Sequence, residues 1–301
     1  MGSDLVAELG GGAALGYAEV GEPNGFPVVH LHGNPGSRLE VNLPAFRRAA
    51  EANGVRLIGV DRPGIGLSTF HPFSLAEFPD LLRRFADALG MTEFAVTGVS
   101  GGGKYACACA ALLPERVRRV VLVSTTCPQD LPGAKATPNR DDRMLYPVAA
   151  RAPWLIRPIF AKMAHTARKD PDALVRMLDD LAPADQDLLA DADFRQGLAT
   201  SVAEAFRQGG RGPVQDYVIE ARPWNLALGS IAVPVDLWHG QDDRVVSADA
   251  SRILAGEIAT ATTHLQPDAG HLMLSSYADT ILRTAATKPV SPSRRALCGE
   301  S

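Results

Sequence analysis

Three observations predict an α/β fold with a parallel sheet, helices on both of its faces, and a helical insertion. Strand-like and helical runs alternate over the first 125 residues and again after residue 233. One short apolar strand, Phe94 to Val99, turns directly into an alanine-rich helix through a glycine-flanked serine. Between Cys127 and Ser230 the alternation stops and only helical segments are found.

Ala14 to Val20 reads as the first strand, with Glu22-Pro23-Asn24-Gly25 as the turn after it. Pro27 to His32 is a strand that ends in a glycine-rich loop. Leu43 to Asn53 is helical and stops at Gly54. Val55 to Asp61 is a strand followed by a loop at Pro63-Gly64, and Phe78 to Leu89 is an amphipathic helix closed by Gly90. After the Phe94 strand come the Ser100 turn and a helix from Lys104 to Leu113. Val117 to Thr125 is almost continuously apolar, as a strand covered on both faces must be. The insertion, 127–230, offers helices at Arg143 to Ala152, Ile156 to Ala167, Pro171 to Leu181, Ala184 to Ala192 and Phe194 to Arg207, punctuated by prolines and Gly209-Gly210. Strands return at Pro234 to His239 and Thr262 to Gln266, followed by helices at Ala248 to Ala259 and Tyr277 to Ala286. Segments 1–126 and 231–287 therefore read as one sheet-containing core, and 288–301, polar with two prolines, as a disordered tail.

Composition narrows the function classes. With 46% hydrophobic and 21% charged residues the chain reads as an ordinary globular protein, and a net charge of −4 gives no reason to expect a nucleic-acid or membrane partner. No apolar run approaches the length of a membrane span, and Met1-Gly2-Ser3-Asp4 does not begin a signal peptide. Cys107, Cys109, Cys127 and Cys298 have neither disulfide nor zinc spacing and are expected as reduced thiols of a cytoplasmic protein. No phosphate-binding glycine motif follows a strand, so neither a nucleotide, another cofactor nor a metal is expected. The expected partner is a small-molecule substrate; oligomeric state is not encoded legibly.

The chemistry is carried by four separated pieces. Gly98-Val99-Ser100-Gly101-Gly102 fits G-x-S-x-G with a strand before it and a helix after it, the context that lifts a serine clear of the sheet. A serine hydroxyl needs a base to take its proton and a third group to orient that base. The strand ending at His239 runs into Gly240-Gln241-Asp242-Asp243, which puts a carboxylate at the carboxyl edge of the sheet; Asp243 is preferred, with Asp242 as the alternative. Asp268-Ala269-Gly270-His271 follows the last strand, and His271 alone among the seven histidines comes after the acid in such a loop. The loop His32-Gly33-Asn34-Pro35-Gly36-Ser37 supplies the backbone N–H of Asn34 which, with that of Gly101, would hold the oxyanion formed when Ser100 attacks a carbonyl.

Together with Asp61-Arg62-Pro63-Gly64-Ile65-Gly66-Leu67-Ser68, these motifs resemble the α/β-hydrolase superfamily over about residues 5 to 287. The resemblance implies a mostly parallel sheet of about eight strands, a helical cap over the site, and a structural role for the Asp61 to Ser68 loop. The His-Gly-Asn-Pro loop is common in dehalogenase-like members, but those and the epoxide-hydrolase-like members use aspartate where this chain has Ser100. Lys104 stands where a small or apolar residue is expected; it is either a pocket-rim group that favours an acidic substrate or a solvated helix residue. The acidic cluster Asp185, Asp187, Asp191 and Asp193 reads as a solvated face.

The leading reading is a serine hydrolase that cleaves a small, largely apolar ester, lactone or thioester through an acyl-enzyme on Ser100. The same triad also serves carbon–carbon or amide hydrolysis and non-hydrolytic natural-product tailoring, and a ligand-binding protein with a vestigial triad is a third reading.

Overall fold

Two strands open the chain, β1 (Leu5–Glu8) and β2 (Ala14–Gly21). Strand and helix then alternate: β3 (Phe26–Leu31) leads to α1 (Pro44–Ala52), β4 (Val55–Val60) to α2 (Phe78–Ala88), and β5 (Phe94–Val99) to α3 (Gly103–Leu112). β6 (Val117–Val123) runs into a helical segment with α4 (Arg140–Arg151), α5 (Arg157–Lys169), α6 (Ala173–Arg176), α7 (Pro183–Ala190), α8 (Ala192–Ala205) and α9 (Arg211–Glu220). Then follow β7 (Val235–Gly240), α10 (Asp249–Glu257), β8 (Ala261–Gln266) and α11 (Ala278–Ala286). This is a computed structural model that describes residues 2–178 and 181–287.

The strands form one eight-stranded sheet in the order β1-β2-β4-β3-β5-β6-β7-β8. β1 with β2 and β2 with β4 pair antiparallel, and every other pairing is parallel. The mostly parallel sheet expected from the sequence is therefore present. Because β3, β5, β6, β7 and β8 run the same way, the loops that follow them emerge along one edge. β5 is buried at all six positions, which is why it reads as an unbroken apolar run. One face of the sheet packs against α2, α3 and α10 through Phe78, Phe85, Tyr105 and Leu254; the other packs against α1 and α11 through Phe46, Ala50, Ile281 and Leu282.

The helices between β6 and β7 have a core of their own, in which Tyr217 lies 5.1 Å from Tyr146 and 5.4 Å from Phe160 between ring centroids. They are fastened to the loops at the carboxyl edge by polar contacts. Ser201 of α8 accepts from Ser37 N–H (3.1 Å), and Gln208 donates to Gly66 O (2.9 Å) and Ser68 O (2.7 Å). No helix among the described residues is long and apolar enough to cross a membrane.

Three local expectations need correction. β1 was missing from the sequence reading, because a four-residue edge strand with one buried position carries almost no periodic signal. α9 was also missing. Gly209-Gly210 and Gly212-Pro213 look like breakers, yet Gly210 caps the helix and Pro213 falls in its first turn, where a missing N–H costs nothing. The helix expected over Pro171 to Leu181 contracts to Ala173–Arg176, and part of that range, like the tail 288–301 and Cys298, lies outside the described residues.

Candidate active site

Ser100 sits at the first residue after β5 with φ of +49°, a left-handed conformation that a non-glycine residue adopts only where the surroundings impose it. The cause lies in its neighbours. A Cβ at Gly102 would stand 2.1 Å from Leu31 O, so glycine there lets the elbow press against β3.

Asp243 and His271 meet. His271 Nδ1 lies 2.8 Å from Asp243 Oδ2 and donates to it, which leaves Nε2 with the free lone pair. The buried Asp243 carboxylate is saturated by donors. Its Oδ1 accepts from the N–H groups of Val245 and Val246 (both 2.9 Å), and its Oδ2 also accepts from His239 Nε2 at 3.1 Å. Burial alone would raise its pKa, but His271 and then His239 outweigh burial and hold it well below the ordinary carboxylate range. Burial lowers the affinity of His271 for a proton, and Asp243 overcomes this, so the imidazole titrates above its ordinary value. Asp242, the alternative acid, is exposed.

His239, which the sequence placed only at the end of a strand, also belongs to the site. It is fully buried, donates from Nε2 to Val246 O (2.9 Å) as well as to Asp243, and meets Ser251 Oγ at Nδ1 (2.7 Å). It props the acid and its tautomer is fixed by the Val246 carbonyl.

Asp185 overturns the reading of its cluster as a solvated face. It is buried, and its two oxygens accept the backbone N–H groups of His271 and Leu272, each at 2.8 Å. A Cβ at Gly270 would meet Asp185 Oδ2 at 2.1 Å, so this approach requires the glycine that precedes the histidine. Asp187, Asp191 and Asp193 are exposed as expected, and Asp191 also caps α8 at Phe194 N–H (2.8 Å).

Lys104 is neither at a pocket rim nor solvated. It is fully buried, donates to Gly101 O at 2.7 Å, and is paired with Glu220 of α9. Asp216, one turn earlier on α9, takes the buried Arg62 and accepts Tyr105 OH at 2.5 Å. Burial would raise the Asp216 carboxyl, but Arg62 and Lys104 bring it down to about 2. Arg62 also donates from Nη1 to His32 O (2.6 Å) and from Nη2 to Gly33 O (2.9 Å), in the loop that carries Asn34. Neither Arg62 nor the α9 carboxylates had been singled out, although the Asp61-Arg62-Pro63-Gly64 motif contained the arginine. The Asn34 side-chain amide is buried without a hydrogen-bond partner.

Among the described residues no cluster of His, Cys, Asp and Glu is arranged to hold a metal ion. Burial pushes the Cys107 thiol up to about 12 and Cys127 up to about 11, which removes both as nucleophiles. The residues gathered at this edge, a strained serine, an imidazole aligned by a buried carboxylate, and a glycine-rich loop, are those that acyl transfer requires.

Residues 27–276 match the model of the alpha/beta hydrolase fold family. The chain belongs to that family. Among curated proteins, this α/β hydrolase is 27% identical to a poly(3-hydroxyalkanoate) depolymerase of Ectopseudomonas oleovorans, covering 87% of this chain and 83% of the relative. It is also 27% identical to a 2-hydroxymuconate semialdehyde hydrolase of Pseudomonas putida, covering 86% and 85%. Among solved structures, an esterase from Exiguobacterium antarcticum superposes with a TM-score of 0.68 at 18% identity, covering 95% of this chain and all (100%) of the esterase. The family places the chain among hydrolytic enzymes.

Proposed function

We propose that this α/β hydrolase is a serine hydrolase that cleaves a small, largely apolar carboxylic ester, lactone or thioester. The observation that carries the reading is the Asp243–His271 pair, held at the same sheet edge as Ser100 with Nδ1 committed to the acid. His271 Nε2 takes the Ser100 proton as Oγ attacks the carbonyl. Asp243 stays ionised, keeps the imidazole in the required tautomer and stabilises the imidazolium. The N–H groups of Asn34 and Gly101 receive the oxyanion. His271 then protonates the leaving group, and water hydrolyses the acyl-enzyme by the same route in reverse.

The substrate is read as small-molecule, and the likeness to a poly(3-hydroxyalkanoate) depolymerase supports ester chemistry. Carbon–carbon hydrolysis by the same Ser100 is the second reading, favoured by the equal identity to the semialdehyde hydrolase over a similar span.

Fluorophosphonate labelling followed by intact mass, together with nitrophenol release from short and medium acyl esters, tests the reading. Ser100→Ala is expected to abolish labelling and lower kcat/KM by about 10⁴-fold or more. Labelled wild type that turns over 2-hydroxymuconate semialdehyde but no ester would move the reading to carbon–carbon cleavage. Folded wild type that neither labels nor turns over either substrate would overturn both.

A further inference from the structure

We infer that α9 is part of the catalytic machinery: through Arg62 and Lys104 its two buried carboxylates, Asp216 and Glu220, fix the directions of the oxyanion-binding N–H groups. The inference rests on the serine-hydrolase reading above and adds positioning residues to it.

In a trans peptide the C=O and N–H point in opposite directions, so whatever holds the oxygen aims the N–H. The Asn34 N–H belongs to the same peptide as Gly33 O. That oxygen is held from behind by Arg62 Nη2 at 2.9 Å and by His32 Nδ1 at 2.8 Å. The preceding carbonyl, His32 O, accepts from Arg62 Nη1 at 2.6 Å, and Gly33 N–H donates to Glu40 Oε1 at 3.2 Å. Burial, reinforced by Arg62, keeps His32 neutral well below its ordinary pKa, so its Nδ1 carries one proton and spends it on Gly33 O. Two consecutive peptide planes are thereby locked, and the Asn34 N–H has one direction left.

Gly101 is treated alike. Its N–H shares a peptide with Ser100 O, which accepts from Thr125 Oγ1 at 3.3 Å and from Gly103 N–H. The next carbonyl, Gly101 O, accepts from Lys104 at 2.7 Å. Glu220 binds Lys104 with one oxygen and Thr126 Oγ1 with the other, which ties α9 to the segment that also carries Thr125.

Neither cation could remain buried alone. Arg62 and Lys104 are 0% exposed, and a guanidinium surrounded only by carbonyls is severely destabilised. Asp216 and Glu220 lie four residues apart on one face of α9 and supply one carboxylate for each cation. Asp216 is itself fully engaged: Oδ2 by Arg62 Nε at 3.1 Å and by Nη2, Oδ1 by Tyr105 OH at 2.5 Å with Lys104 Nζ at 3.5 Å. Within this set the two cations are matched by two carboxylates. The lattice gives direction, and withdrawing a carboxylate releases a peptide.

The test uses a medium-chain alkyl trifluoromethyl ketone, ¹³C-labelled at its carbonyl. Addition of Ser100 Oγ to that carbon, with the serine proton passing to His271, gives a hemiketal whose oxyanion occupies the hole. Its titration in the carbon spectrum reports how well the N–H groups stabilise negative charge. Asp216→Asn and Arg62→Lys keep size but break the fork. Each is expected to lower kcat for a nitrophenyl ester 10- to 100-fold, with KM changed less than about threefold and the hemiketal oxyanion titrating at higher pH. Tyr105→Phe removes one bond to Asp216 with no change of shape, and a smaller fall in kcat with the same direction of titration shift is expected. Should the first two variants fail to show a cooperative melt, Tyr105→Phe decides. Folded variants with wild-type kcat and an unmoved hemiketal titration would overturn the inference while leaving the serine reading intact. Absence of a Ser100-dependent adduct in wild type would overturn both.

Discussion

The sheet edge and α9 both bury charge beside Ser100, and they do so on opposite plans. At the edge, one carboxylate faces two imidazoles, and its other donors, Val245 and Val246, come from its own turn. One of those imidazoles is partly open, and the group is poised to gain and lose a proton. In α9, Asp216 and Glu220 are matched to Arg62 from the loop after β4, 154 positions away, and to Lys104 from α3, 116 positions away. That set is closed, and its two cations are paired with its two carboxylates. A buried carboxylate can thus tune a base or anchor a peptide, and its neighbours decide which.

The largest effect should come from the edge. Asp243→Asn keeps the shape but removes the charge that selects the His271 tautomer, and kcat for a nitrophenyl ester is expected to fall about 10⁴-fold. Asp242→Asn, an exposed change one residue away, should stay within about threefold of wild type. Equal losses in the two variants would remove the assignment of the acid to Asp243.

The next effect belongs to α9 and is read as stability. Lys104→Met leaves the Glu220 carboxylate, 4% exposed, without its cation, and about 3–5 kcal/mol of unfolding free energy should be lost in urea. Pairing it with Glu220→Gln removes the orphaned charge, and most of that loss should return. If the double variant were no more stable than Lys104→Met, the two groups would not be coupled and the contrast between edge and helix would fail.

The contrast also explains what could be read in advance. The places of Ser100, Asp243 and His271 along one sheet edge were legible because each lies within five residues of a strand end, and strand ends are set by local alternation and glycines. The sequence preferred Asp243 but could not settle which way a side chain at that turn points; in the structure the Asp243 carboxylate lies against His271. α9 was illegible for a physical reason. Its carboxylates, Asp216 and Glu220, face inward and its one glycine, Gly212, sits near its start after Gly209-Gly210, so neither amphipathic pattern nor breaker rules point to a helix there. The carboxylates that pair with Lys104 lie on that unseen helix, which is why a buried lysine was read as a pocket-rim or solvated one. Asp185 was misjudged similarly: a carboxylate among other acids reads as surface until the loop it clasps is placed.

The smallest effect links the two regions. Asp185 lies in the helical segment yet clasps the His271 loop, and its charge, behind that of Asp243, helps raise the His271 pKa. The base is active when neutral, so a raised pKa puts the acid limb of kcat/KM above pH 6.5, the ordinary histidine value, and activity appears as pH rises through it. Asp185→Asn removes that charge and should move the limb toward lower pH, with less than about a tenfold gain in activity on the acid side, since tenfold would need a full unit. Its amide also offers one acceptor where two N–H groups need partners, at a cost of about 1–3 kcal/mol in stability. Measuring kcat/KM from pH 5 to 9 beside a urea titration separates the two consequences. A limb that moves upward, or stays fixed while stability falls, would confine Asp185 to holding the loop and leave the proton affinity of His271 to Asp243 and its nearer neighbours.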